Sequence, residues 1–335
     1  MKILIVGPAW VGDMVIAHAL VRALRAESNA AHVHMLAPAQ TEPLARRMPG
    51  VSGTTVLPVE HGEFGWGARR RVARELRRQR FDRAIVLPNT AKSALVPLFA
   101  DIPRRTGWRG EWRYGLLNDL RSLNEARYPR LVDRFVALGR DAGAVPPSDL
   151  RPQLTADSRR AEELIAALGL ACDGPVLALC PGAEYGPAKR WPPAHFAAVA
   201  EAHLRRCGAV WLLGARADAP ACAAIVAALP ERLRARTFDL AGCTSLLDAV
   251  DLLARADQVV TNDSGLMHVA CALDVPVVAV YGSSSPAFTP PLSERARVVR
   301  QVLPCSPCFE RICPLGHTDC LIRLAPDRVV RELVH

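Results

Sequence analysis

Short apolar runs that stop at Gly, Pro or Asn alternate along this chain with longer stretches of helical period. That is the pattern of a parallel sheet whose two faces are covered by helices. In the first half, apolar runs at 2–6, 32–36, 54–57 and 83–87 predict strands, and the periodicity at 13–27 and 68–79 predicts helices. Three prolines within VPPSDLRP, residues 145–152, disfavour regular structure and mark a connector. A helix is expected over 158–168, after which the pattern restarts with strands at 176–180, 209–213, 257–261 and 277–281. The expected fold is α/β, with two doubly wound Rossmann-like domains facing a central cleft. The boundaries read as an N-terminal domain at 1–155, a connector at 156–174 and a C-terminal domain at 175–335. Ligands in such sheets bind outside the carboxyl ends of the strands, so the loops following the strand runs are where chemistry is sought.

Length agrees with two domains, since 335 residues exceed what one hydrophobic core usually takes. No run of about 18 apolar residues suggests a spanning helix. Gly7, Pro8, Gly12 and Asp13 interrupt the apolar N-terminus where a signal peptide needs an unbroken segment. A cytoplasmic protein is therefore expected, with its ten cysteines reduced rather than paired in a disulfide framework.

Charge changes the picture in one place. Residues 61–140 hold 18 Lys/Arg against 8 Asp/Glu, which accounts for the whole net charge of +9. A localised cationic region attracts phosphorylated sugars, anionic lipid head groups or nucleic acid. It also admits a plainer reading as solvated helix faces such as Arg69 to Arg80.

The first strand runs into GPAWVGDM, which is neither the GxGxxG of a dinucleotide site nor a P-loop, because Asp13 stands where the P-loop lysine would be. That argues against an NAD-dependent oxidoreductase. Asp13 reads either as a carboxylate presented to the cleft or as a helix N-cap. After the strand at 176–180, CPGAEYGPAKRWPPAHF supplies Gly182 and Gly186 for close backbone approach and Lys189, either solvent-exposed or a compact charge for phosphate. NDSGLMHVACA then opens a helix whose first backbone N–H groups, at Ser264, Gly265, Leu266 and Met267, suit a diphosphate. Asp263 sits at its entry, and His268 in its first turn is either functional or a packed histidine. YGSSSP adds Gly282, Ser283 and Ser284 on the same rim.

GPAWVGDM, LPNTAKSALVP, RRTGWRGEWRYGLLND, CPGAEYGPAKRWP, TNDSGLMHVA and YGSSSPAFTPPLS, in this order over nearly the whole chain, resemble the ADP-heptose:lipopolysaccharide heptosyltransferase II family. The resemblance implies a GT-B glycosyltransferase that moves L-glycero-D-manno-heptose from ADP-heptose to the first heptose of the inner core, with inversion. It implies an acceptor held by the first domain and a donor held by the second. Asp13 becomes the general base and Lys189 the partner of the leaving diphosphate. Gly182, Lys189, Asp263, Ser264, Gly265, Leu266, His268 and Ser283 become the donor-binding set. Lys92, Arg104, Arg105, Arg109 and Arg113 become candidate contacts for an acceptor bearing anionic sugars and phosphates. Trp108 and Trp112 either stack on sugars or pack in a core.

No cofactor is obligatory for this chemistry, although Mg2+ could assist. The implied partners are ADP-heptose, the lipopolysaccharide inner-core acceptor and, peripherally, the inner face of the cytoplasmic membrane, with no nucleic acid. Heptosyltransferase I, acting one step earlier on Kdo2-lipid A, and a non-enzymatic cationic binding module are the competing readings. Separately, PCSPCFERICPLGHTDC gathers Cys305, Cys308, Cys313 and Cys320 within 16 residues. These could hold structural zinc or iron, remain free thiols, or pair on oxidation.

Overall fold

The computed structural model describes residues 1–333 apart from 60–61, 142–143, 145–146, 148, 171–173 and 207. The chain divides into two compact units, Met1–Leu154 and Thr155–His335. The helix Ser158–Ala167 belongs to the second, tied to it by Asp157 N donating to Asp251 and by an Arg160–Asp248 ion pair.

The first unit is built on strands β1 (Lys2–Val6), β2 (His32–Pro38), β3 (Val51–Leu57), β4 (Arg83–Val86), β5 (Arg104–Trp108) and β6 (Asp119–Arg121). They lie in the order β3-β2-β1-β4-β5-β6, every neighbour parallel. The second has β7 (Val176–Cys180), β8 (Ala209–Leu212), β9 (Thr237–Asp239), β10 (Gln258–Asn262), β11 (Val277–Tyr281) and β12 (Ala296–Arg300). Their order, β12-β11-β10-β7-β8-β9, is the same winding, again parallel throughout. Each unit is a doubly wound α/β sheet with its topological switch point between its first and fourth strands. The apolar runs predicted as strands are mostly the central ones, buried on both faces; β3, also predicted, is a half-buried edge strand. The strands not predicted, β5, β6, β9 and β12, lie outward of the fourth and second strands and carry too many polar residues to read as such runs.

In the first unit the helix Val11–Glu27 is buried on nearly every side and packs on the helix Leu131–Gly139. Gly139 permits that approach, because a Cβ there would sit 2.3 Å from Leu20 Cδ1. The last carbonyls of Leu131–Gly139 are satisfied by arginines. Arg83 donates to Leu138 O at 2.6 Å and Gly139 O at 2.7 Å, and Arg121 donates to Ala137 O and Arg140 O. Burial lowers the Arg83 pKa to about 10, which leaves it charged at neutral pH. His18, fully buried, donates from Nε2 to Pro49 O and accepts from Gln153 N at Nδ1, both at 2.8 Å.

Candidate active site

At the carboxyl ends of β1 to β4 the first unit opens a cavity of about 440 Å³, within the range of small-molecule sites. Its polar lining includes Asp13, Gln40, Arg69, Asn89, Lys92 and Ser93. Asp13 stands in the first turn of Val11–Glu27, whose N-cap is Trp10. The N-cap reading of Asp13 therefore falls, and the carboxylate lines the cavity. Lys92 Nζ lies 3.4 Å from Glu63 O.

The other basic residues singled out in the sequence do not line this cavity. Arg104 pairs with Asp119 at 3.0 Å, and Arg105 donates to Ile102 O and Leu116 O. Arg113 is buried and binds Pro88 O, Asn89 Oδ1 and Trp108 O. Arg109 is exposed. Arg104, Arg105 and Arg113 thus spend donors on carbonyls, an amide and a carboxylate of their own unit, while Arg70, Arg71, Arg74 and Arg109 are exposed. Arg69 departs from expectation in the opposite sense. It is buried beneath the cavity, donating to Phe64 O at 2.7 Å and Lys92 O at 3.0 Å, so it holds the Lys92 segment in place. Trp108 packs in the core with Nε1 on Arg134 O, while Trp112 is 89% exposed.

In the second unit the loops after β7 and β10 meet at the switch point. Lys189, in the short 3-10 turn Pro187–Lys189, pairs with Asp263 at 2.6 Å, the carboxylate buried and the lysine half-buried. The loops are locked together by Asn262, whose Nδ2 donates to Pro181 O at 2.7 Å and whose Oδ1 accepts from Trp191 N at 3.1 Å. Ser264 is the N-cap of the helix Gly265–Ala272 and makes no side-chain capping bond. Leu266 stands in that helix's first turn. His268 is buried, and desolvation lowers its pKa to about 4, opposed by Asp263 and helped by Lys189. It is a neutral imidazole at physiological pH.

Ser283 and Ser284 are buried, and their hydroxyls have no hydrogen-bond partner in this structure. Buried polar groups in native proteins normally have one, so the pair is suited to a ligand. Gly182 packs closely on Asp218, since a Cβ there would lie 2.3 Å from its carboxylate. Tyr185, absent from the sequence reading, lies under two cations, with Lys189 Nζ 4.9 Å and the Arg311 guanidinium 5.0 Å from its ring centre. The second unit thus offers paired cations, a helix N-terminus and unused hydroxyls, groups of the kind that suit a diphosphate and the charge it gains on leaving.

The family model of glycosyltransferase family 9 (heptosyltransferase) matches residues 69–319. The lipopolysaccharide heptosyltransferase 2 of Salmonella typhimurium is 46% identical over 99% of this chain and 97% of its own length. The chain belongs to glycosyltransferase family 9, the heptosyltransferases. Among solved structures of this family, that of the E. coli ADP-heptose lps heptosyltransferase II matches with a TM-score of 0.88 at 45% identity, covering 99% of this chain and 97% of that one. The lipopolysaccharide heptosyltransferase 1 of Pseudomonas aeruginosa is similar over a shorter stretch, 29% identical across 43% of this chain. This heptosyltransferase is accordingly an enzyme, a glycosyltransferase of lipopolysaccharide core synthesis with the GT-B-like α/β fold.

Cys305, Cys308, Cys313 and Cys320 are free thiols that line one small cavity of the second unit. As they stand, no three His, Cys, Asp or Glu side chains among the described residues are grouped to hold a metal ion. No described helix is long and apolar enough to cross a membrane.

Proposed function

We propose that this heptosyltransferase moves L-glycero-D-manno-heptose from ADP-heptose to the first heptose of heptosyl-Kdo2-lipid A, as a heptosyltransferase II. The observation that carries the reading is the end-to-end likeness to enzymes of that name, at 45–46% identity, against the partial likeness to a heptosyltransferase 1.

Asp13 accepts the proton of the attacking hydroxyl as the glycosidic bond forms, and inversion follows from attack opposite the departing ADP. A positioned base of this kind contributes about 100-fold or more. Lys189, released in part from Asp263, meets the diphosphate together with the first N–H groups of Gly265–Ala272. Asp263, Ser283 and neutral His268 remain to orient the sugar and nucleotide by hydrogen bonds. Fixed donors of this sort stabilise leaving-group charge without reorganising, so Mg2+ has at most an assisting role. Lys92 contacts the anionic acceptor.

The exposed Phe64, Trp66, Trp112 and Tyr114 of the first unit, among exposed arginines such as Arg70, Arg71 and Arg74, support peripheral contact with an anionic membrane face, where such side chains bind. The test is ADP release with ADP-heptose and acceptors bearing no, one or two heptoses. Release with the one-heptose acceptor alone is expected. Turnover with the heptose-free acceptor instead would replace this reading by heptosyltransferase I.

A further inference from the structure

Residues 301–318 contain turns and one isolated bridge but no helix or strand. Val302, Phe309, Ile312 and Leu315 are exposed, so the segment has little core of its own. It is nevertheless joined to two of the loops that carry candidate donor residues, those after β7 and β11. Phe309 N donates to Ser283 O at 2.7 Å and Ser306 Oγ to Gly282 O at 2.6 Å. On the other side Ala188 N donates to Arg311 O at 3.1 Å, and the Tyr185 hydroxyl donates to Phe309 O at 2.5 Å. The approach is so close that a Cβ on Gly186 would lie 2.4 Å from Arg311 O. Hydrogen bonds rather than apolar packing hold this strap, and a cross-link within it would add to them.

Its cysteines are placed for that. Cys305, Cys308 and Cys313, with Cys320 from the helix Asp319–Ile322, line one small cavity whose wall also includes Ala188 and Ser283. The unpartnered Ser283 hydroxyl belongs to the same wall.

We propose that Cys305, Cys308, Cys313 and Cys320 form a four-thiolate Zn2+ site that fixes the 301–318 strap against the two donor loops. The role in donor binding rests on the functional reading above. Zinc is the ion this donor set suits, tetrahedral and held by thiolates at about 2.3 Å. Each thiol releases its proton to solvent as its Zn–S bond forms. Because the four sulfurs do not yet converge as the free thiols stand, loading draws them inward by side-chain rotation about a cavity they already share. A segment without a core gains its order from such a staple.

The test uses the full-length protein, grown with zinc and purified without chelator. Elemental analysis is expected to find about one Zn2+ per chain, and stripped protein titrated with Co2+ should develop thiolate-to-cobalt charge-transfer absorption. Stripping with a strong chelator should weaken ADP binding in calorimetry by about tenfold or more, reversed by Zn2+. The double variant Cys308→Ser, Cys313→Ser should bind neither metal and show the same weakening. If that variant does not fold by circular dichroism, reversible stripping of the wild type carries the test alone. Metal-free protein with no cobalt band overturns the site, and zinc whose removal leaves ADP affinity unchanged overturns its bracing role. ADP binding by the loaded wild type is the control: its absence counts against the donor reading, whereas its presence in protein that takes up no metal counts against the zinc site alone.

Discussion

The two sheets have one strand order and two different switch points. Between β1 and β4 the first unit leaves an open cavity of about 440 Å³ with a carboxylate, Asp13, on the first helical turn. At the equivalent place between β7 and β10 the second unit is drawn shut by the Lys189–Asp263 pair and the Asn262 cross-brace. Winding decides where a ligand goes, while the loops decide what it meets. On the proposed reading, one site takes a proton and the other receives negative charge.

The sharpest way to break this comparison is Asp13→Asn. The substitution keeps the shape and, since Trp10 is the N-cap, removes no capping bond. Turnover should fall about 100-fold to 10,000-fold, while ADP affinity, a property of the other unit, stays within experimental error. Near-normal turnover at saturating donor and acceptor would remove Asp13 from the chemistry.

Lys189→Ala probes the second site. Loss of a charge-assisted contact should weaken ADP binding by roughly 10-fold to 150-fold. Taken as a lone phosphate ligand, Lys189 would be replaceable without harm to the fold. The buried ion pair alters that, because alanine leaves Asp263 without its partner, and breaking a buried pair costs about 3–5 kcal/mol unless the carboxyl protonates. The melting temperature should therefore fall in Lys189→Ala and recover in Lys189→Ala, Asp263→Asn, with ADP binding still weak. A single variant as stable as wild type would show that the pair contributes nothing to the fold.

That correction shows where sequence reading stops. The central strands were legible because they are buried on both faces and so are apolar without interruption. β5 was not, because Arg104 and Arg105 lead it. Lys189 and Asp263 were each visible as residue types at strand ends, but their pairing joins positions 74 residues apart and depends on which strands flank the switch point. Arg113 was selected as a basic residue within a family-like string, yet a guanidinium has five donors and serves buried carbonyls as readily as phosphates. Arg69 was passed over as a solvated helix residue, although it shares the buried i, i+3, i+4, i+7 face with Val72, Ala73 and Leu76.

Acid separates the units in another way. His18 in the first and His268 in the second are both held neutral by burial, with pKa values lowered to about 4. A folded-state pKa below the unfolded value of about 6.5 gives stability that is fully present above pH 6.5 and lost as pH falls toward 4. Each histidine should therefore cost about 2 kcal/mol of stability between neutral pH and pH 5. His18 has the stricter requirement, because protonation would remove the Nδ1 acceptor used by Gln153 N. In denaturant titrations His18→Gln should be less stable at pH 7.5 and lose less between pH 7.5 and 5 than wild type. An unchanged pH slope would mean that His18 is solvated before the unit unfolds.

The smallest effect distinguishes a local contact from general attraction by the basic region. Lys92 lines the first cavity, whereas Arg109 is exposed and outside it. If the acceptor's anionic groups enter the cavity, Lys92→Met should raise acceptor KM about 2-fold to 10-fold with kcat little changed, the worth of one partly solvated contact. Arg109→Met should then change KM by less than about 2-fold, and only at low ionic strength, because exposed charges at a distance are screened within about 8–10 Å at physiological salt. The two variants should also differ in their response to salt: the Lys92 effect persists at 0.3 M NaCl, roughly twice physiological ionic strength, and the Arg109 effect disappears. Equal, salt-sensitive effects from both would mean that the first unit attracts its acceptor by overall charge, with no phosphate or carboxylate seated beside Asp13.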